Sequence, residues 1–372
     1  MSTVSAATRY DRVRSKLVAS PLLTHLVLAL AGLVVVIVVL ESTSQFRNGQ
    51  FAAMAYLGIA AGGLTMLTGL NGQLSLGHGA LMAIGAYTAA LLLPDADART
   101  PLLLVLLAAI LVTTVIGGLI GVAAARLHGP YIAGATLALA VAVPGIALFF
   151  SDALGGEQGL NVSLPEVPGW FADVVYFVSA HEVTGSKFVA YIGWLSLIVT
   201  YVLLANLSHS RVGRTWRAVR DDEVSAEIAG INLARTRVIA FVVSAACAGL
   251  AGAVMAMAVR ITAPSGFTLM LSLSLLTAVV LGGLGSLGGA LIGAALLTFL
   301  PQLVTGLGHD AGLSDLQAAE LAPLVYGLTL VLVILLAPAG IIGSLRTWQA
   351  RRAPSTPTSE RQPDMQSGGK KL

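Results

Sequence analysis

The sequence predicts an all-α membrane protein, a polytopic helical bundle of about ten transmembrane helices with one charged helix outside the bilayer. Three observations predict it. Hydrophobic residues make up 56% of the 372 residues and charged residues only 10%, against roughly a quarter charged in a soluble domain. Mean hydropathy is +0.86. The few charges gather at the two ends, in short loops and in one polar island, Ser208 to Arg237, which leaves long apolar stretches nearly free of them.

A helical span needs about 20 apolar residues. The stretches that qualify, in chain order, are 22–40, 51–70, 76–93, 102–125, 131–150, 188–206, 238–259, 267–283, 288–304 and 322–338. The first follows Arg9, Arg12, Arg14 and Lys16 and is too long for a signal-peptide core, so it reads as a retained span. The eighth and ninth are short and meet at the Gly-rich stretch Gly282 to Gly289; one span with a re-entrant piece is the alternative there. Domain boundaries follow: a cytoplasmic basic N-terminus over 1–21, a membrane domain over 22–345, and a disordered tail over 346–372. The membrane domain holds the charged loop 208–237 and an external loop 151–187.

Orientation follows from Lys and Arg. With both termini in the cytoplasm and ten alternating spans, 17 of the 21 Lys and Arg lie inside; Arg47, Arg99, Lys187 and Arg260 lie outside. That is the bias of the positive-inside rule. The formal net charge of +3 carries no nucleic-acid signal, because its distribution is explained by the membrane. The single cysteine, Cys247, excludes an intrachain disulfide. The external loop carries G-G-E-Q-G-L (155–160) and P-E-V-P-G-W (165–170), the second reading as a turn before an interfacial Trp170.

Four motifs carry the functional argument. T-G-L-N-G-Q-L-S-L-G-H-G-A (68–80) puts Asn71, Gln73, Ser75 and His78 near membrane depth. Irregular backbone is tolerated there only inside protein or along a wet cavity. A translocation path is one reading, a hairpin packed through small residues the other. G-P-Y-I-A-G-A-T-L-A-L-A (129–140) opens a helix at Pro130 and places Thr136 toward either the bundle or a neighbouring carbonyl, with packing through Gly134 and Ala135 as the plainer reading. Pro144 is expected to kink this helix. V-L-G-G-L-G-S-L-G-G-A-L (280–291) echoes the first motif around Ser286, a pattern seen in transporters built from repeats. It is no phosphate loop, since G-x-x-x-x-G-K-[ST] occurs nowhere.

The fourth motif is the island, with six arginines and four carboxylates. Asp221 to Ala229 forms a short helix with Asp221, Asp222 and Glu223 at its positive end, and Gly230 ends it. The arginine-rich segment before it, 210–220, is expected to lie on the membrane surface. A plain positive-inside loop explains the arginines but not an acid-capped helix with a Gly stop. The six histidines are scattered without metal-ligand spacing, so no catalytic residue, metal or cofactor is expected.

Together these motifs, in order, resemble the membrane permease subunits of branched-chain amino-acid ABC importers, and the longer of that family's two permease types. The resemblance covers roughly residues 50–345 and includes S-R-V-G-R-T-W-R-A-V-R-D-D-E-V-S-A-E-I-A-G-I-N (210–232), F-V-V-S-A-A-C-A-G-L-A-G-A (241–253) and Y-G-L-T-L-V-L-V-I-L-L-A-P-A-G-I-I-G (326–343). It implies a bacterial inner-membrane protein working with a second permease, two ATP-binding subunits and an external solute-binding protein. It also implies that 221–230 is a cytoplasmic coupling helix, with Arg214, Asp222, Glu223, Ala226 and Gly230 facing the ATPase. The translocation path would draw on Asn71, Ser75, His78, Thr136 and Ser286. One departure stands out: T-L-A-L-A-V-A-V-P-G (136–145) lacks the carboxylate that relatives often carry there. Leucine, isoleucine and valine are the default cargo, with urea, amides or another small solute as alternatives. A secondary transporter or channel acting alone is the reading from a different class, weakened by the scarcity of carboxylates in the spans.

Overall fold

The computed structural model describes residues 21–94, 100–127, 130–164, 167–179, 183–336 and 340–345. The expectations for the basic N-terminus, the disordered tail, Arg99, Gly129 and the start of the Pro165 turn lie outside these residues. The described chain is almost wholly helical, as expected. Its long helices are α1 (Pro21–Ser42), α2 (Gln45–Leu64), α3 (His78–Leu92), α4 (Leu102–Ala124) and α5 (Pro130–Phe149). A single turn, α6 (Ser151–Leu154), and α7 (Gly169–Ser179) with an exposed Trp170 follow. Then come α8 (Gly185–His209), α9 (Arg211–Asp221), α10 (Glu223–Ile228), α11 (Leu233–Val259), α12 (Leu269–Gly282), α13 (Leu287–Asp310) and α14 (Asp315–Leu336).

Among the described residues, eight helical stretches are long and apolar enough to cross a membrane. The other two expected spans are α3 and α14. The stretch 76–93 is not a full span. Its helix has 15 residues, about 22 Å at 1.5 Å per residue, short of the ~30 Å hydrocarbon core. Residues 71–77 precede this helix without helical structure; Asn71, Gln73, Ser75 and Gly77 are buried in protein, the condition that makes such backbone tolerable, while Gly72 and Leu74 are exposed. The stretches 267–283 and 288–304 are two separate helices joined by the turn at Gly283–Ser286 rather than one re-entrant span. Pro144 lies inside a continuous α5.

Small residues set the centre of the bundle. Helix α11 packs against α2, α3 and α4. A methyl group on Gly85 would strike the backbone of Gly249, and one on Gly252 would strike the carbonyl of Met82. These contacts bring α3 and α11 to backbone distance, which supplies the van der Waals packing that holds helices together where lipid offers no hydrophobic drive. Helix α1 is peripheral, with Leu26, Leu30 and Val34 exposed. It is tied to α8 by Glu41, which pairs with Lys187 at 2.5 Å and accepts from the Tyr191 hydroxyl at 2.6 Å.

At the end of α11 a two-strand pair joins β1 (Leu160–Asn161) to β2 (Ile261–Thr262), antiparallel, with Leu160 opposite Thr262. Nothing in the sequence analysis anticipated it. The G-G-E-Q-G run makes it possible: Gly155, Gly156 and Gly159 all adopt positive φ, and a side chain at Gly159 would collide with the Thr262 carbonyl.

Candidate functional site

The island folds as two helices. Ser210 caps α9, its hydroxyl accepting from the Val212 N–H at 3.1 Å. Gly213, Trp216 and Val219 recur every three residues and are buried. Trp216 is fully buried and its indole N–H donates to the Thr236 carbonyl at 3.3 Å. The apolar face of α9 therefore packs on the start of α11, which corrects the expectation that this segment lies on the membrane surface. Amphipathic spacing states that a face is covered; here protein covers it. Arg214 and Arg217 fold back to the His209 and Ser208 carbonyls at 3.2 and 3.0 Å, satisfying the last carbonyls of α8 where cations are favoured.

Asp222 is the N-cap of α10. Its Oδ1 accepts from the Val224 and Ser225 N–H groups at 2.9 and 3.1 Å, and its Oδ2 accepts from the Ser225 hydroxyl at 2.8 Å. These bonds, those from Ser225 first, hold the Asp222 carboxyl below its ordinary pKa. Asp221 is not part of this helix, as the sequence reading had it, but ends α9: Asp222 takes extended backbone (φ −159, ψ 108) and divides the two. Gly230 stops α10 at φ +85, with the Ile231 N–H returning to the Ala226 carbonyl at 3.0 Å. Ala226 is buried, while Val224 and Ile228 are 67% and 83% exposed. A helix of six residues thus leaves two aliphatic side chains uncovered by the rest of the described chain.

The other end of this loop reaches the interrupted backbone. Helix α2 runs into a π-helical turn, Thr65–Leu70, a geometry frequent at functional sites. Gly72 then takes φ +82, and the chain stays irregular to Gly77. Asn71, Ser75, His78 and Thr136 are all brought together here, each no more than 3% exposed. The Thr136 hydroxyl accepts from the Leu76 N–H at 2.9 Å, and the Ser272 hydroxyl accepts from the Gly79 N–H at 2.9 Å. The Ser244 hydroxyl lies 3.5 Å from His78 Nδ1. Asn71 Nδ2 and Ser75 Oγ are buried with no hydrogen-bond partner among the described residues. Ser286 stands apart as the N-cap of α13, accepting from the Gly289 N–H at 3.3 Å; its neighbour Gly285 packs on Gly69.

Two arginines that the sequence analysis did not single out join the halves. Arg237, with 3% of its side chain exposed, pairs with Glu223 at 2.6 Å. Its backbone carbonyl accepts from the Gln73 amide at 3.1 Å, and Gln73 also donates to Asn71. Arg220 donates to the Gly69 carbonyl at the end of the π turn, and its side chain lies against Gly72. In the sequence both are two more cations of a positive-inside loop. The one signal that could have marked Arg237 is its position at the start of a long apolar run, where burial is expected.

Comparison with known proteins bears on this arrangement. Residues 46–334 match the family model described as branched-chain amino acid transport system / permease component. The chain is 30% identical over 323 residues to the high-affinity branched-chain amino acid transport system permease protein LivM of Salmonella typhimurium, covering 80% of this chain and 70% of that protein. It is 28% identical to the corresponding permease protein BraD of Pseudomonas aeruginosa (80% and 95% covered). It is also 28% identical to the fructose import permease protein FruG of Bifidobacterium longum (78% and 82% covered). No solved structure matches.

Proposed function

The chain belongs to the permease-component family of branched-chain amino acid transport systems, and from that premise we propose that it is the membrane subunit of an ABC importer for leucine, isoleucine and valine. It pairs with a second permease in a bacterial inner membrane, with both termini in the cytoplasm. Two separate ATP-binding subunits drive it, and an external solute-binding protein delivers the cargo.

The observation that carries this reading is the connection between α10 and the broken backbone. Helix α10 presents Val224 and Ile228 outward, and these insert in a groove of the ATPase, with Asp222 and Gly230 fixing the helix ends. Glu223 passes the displacement to Arg237, and Arg237 to Gln73. Arg220 passes it to Gly69. The polar segment Asn71–His78, closed against Thr136, is the part of the path that moves. A two-state element biased by a partner is what coupling requires. Arg214 and Ser286 act as caps in this scheme, not as direct ATPase or solute contacts.

The fructose-import relative marks a second reading with the same machinery and a different cargo. One experiment addresses both: purify the tagged chain gently from its native membrane, identify the subunits that accompany it, and measure uptake in vesicles. ATPases with phosphate loops and ATP-dependent leucine uptake are expected. Fructose uptake unaffected by leucine would replace the cargo; a chain that comes alone and transports without ATP would overturn the proposal.

A further inference from the structure

The end of the bundle opposite the docking loop holds a second feature. A cup of about 470 Å³ opens around the first turns of α2, well inside the size range of small-molecule sites. Gln45, Gly49, Ala53 and Tyr56 recur at helical spacing down one face of α2 and line it, with Gln50 beside them; Gln302 of α13 faces them. Its sides are the start of α8 at Ser186 and the end of α11 at Ala258 and Val259. From Gln45 to Tyr56 the helix descends about 16 Å. Below Tyr56 the same helix is sealed, with Ile59, Ala60, Ala61 and Leu64 fully buried. The cup is therefore blind, and the chain between its floor and the polar break is packed solid.

The lining is chemically selective in what it includes. Among the described residues it carries three glutamine amides and no charged side chain, the Arg47 guanidinium standing behind Gln50 rather than in the lining. An amide carbonyl accepts from an ammonium group and an amide NH₂ donates to a carboxylate, so a set of amides serves both ends of a zwitterion. A fixed charge would favour an ion of one sign, and tight charge pairing would oppose release. Gln50 is 6% exposed, and Arg47 donates to its Oε1 at 3.2 Å, which orients the amide and leaves its NH₂ to donate. Phe46, Ala53, Ala258 and Val259 supply a small apolar wall beside these amides.

We propose that this cup is an external subsite which receives a small zwitterionic amino acid before it moves toward the polar break. Gln45, Gln50 and Gln302 hold the ammonium and carboxylate groups, and the apolar wall takes an aliphatic side chain. The proposal rests on the permease reading above.

The assembled transporter in intact cells provides the test. Cys247 is the chain's single cysteine and is buried, so an introduced cysteine is the accessible thiol. Gly49 has open space where a side chain would go, and Gln302 is exposed. Gly49→Cys and Gln302→Cys are therefore expected to react with a membrane-impermeant thiol reagent and to be protected by leucine but not by fructose. The double variant Gln50→Leu/Gln302→Leu, which loses hydrogen bonds to charged groups, is expected to raise the KM for leucine uptake about a hundredfold or more at unchanged kcat. Gln50→Asn/Gln302→Asn should recover part of that loss. Equal labelling with and without leucine, together with an unchanged KM, would overturn the subsite while leaving ATP-driven uptake intact. Protection by fructose and not by leucine would overturn its zwitterion chemistry. Loss of ATP dependence in the unmodified chain would instead count against the permease reading itself.

Discussion

Neutralising Glu223 should uncouple ATP hydrolysis from transport without dismantling the transporter. Its partner Arg237 is buried, with 3% of its side chain exposed, while the Glu223 side chain is 50% exposed, and the charged atoms stand 2.6 Å apart. An exposed pair contributes roughly 0.2–1 kcal/mol. Breaking a fully buried pair costs about 3–5 kcal/mol, because a charge is left stranded. A pair with one partner in each regime falls near 2 kcal/mol, or roughly thirtyfold in an equilibrium. The variants are Glu223→Gln, Arg237→Gln and the double, assembled with ATPases in vesicles, with leucine uptake and ATP hydrolysis measured together. Each single change should cut uptake per ATP about thirtyfold. The double should be no worse than either, since removing both members strands no charge. Substitution at Arg237 leaves its backbone carbonyl, and so the Gln73 bond, in place, which isolates the ion pair. A double-variant loss equal to the product of the two single losses would refute the reasoning, as would uptake per ATP that does not change.

Two further outcomes follow from the same loop. Trp216→Ala should lower the stability of the detergent-solubilised chain by about 3–5 kcal/mol in a thermal unfolding series, the cost of emptying a buried aromatic site; a change near zero would mean that its face meets lipid rather than α11. The Asp222 carboxyl lies below its ordinary pKa in the folded chain, so the stability it contributes is present above the unfolded value and lost only as pH falls through the lower folded one. Uptake by the native chain and by Asp222→Asn, which keeps a capping oxygen without the charge, should therefore share one pH profile between pH 5 and 8. A native profile that declines toward pH 5 while the variant's stays flat would contradict it.

Much of this architecture was legible in the sequence because the bilayer imposes it. Runs of apolar residues had to be helices, and the concentration of arginines at Ser208–Arg237 had to mark an aqueous loop. The polar set Asn71, Ser75 and His78 stood out because such residues are rare at that depth, and the chain does break there. The limits were equally physical. Periodicity gave α9 an apolar face but not what covers it; Trp216 on that face packs on Thr236. Three consecutive acidic residues look alike in sequence; only the extended backbone of Asp222 separates the end of one helix from the start of the next. Arg237 was hidden among cations whose presence the membrane already explained. The cup around Gln50 depends on four elements meeting, and no local pattern carries it.

The unpaired atoms Asn71 Nδ2 and Ser75 Oγ have a consequence for idling. A buried donor or acceptor without a partner costs roughly 1–3 kcal/mol, and water reaching the opened segment would relieve that cost. In the proposed coupling scheme the shut segment is held by Thr136, Ser272 and the Arg237 and Arg220 attachments. Apolar residues at 71 and 75 would make a tighter seal with less leak, and a slower one to open. In that scheme the native pair would set the segment nearer to release, so that a modest push from outside the membrane would be enough.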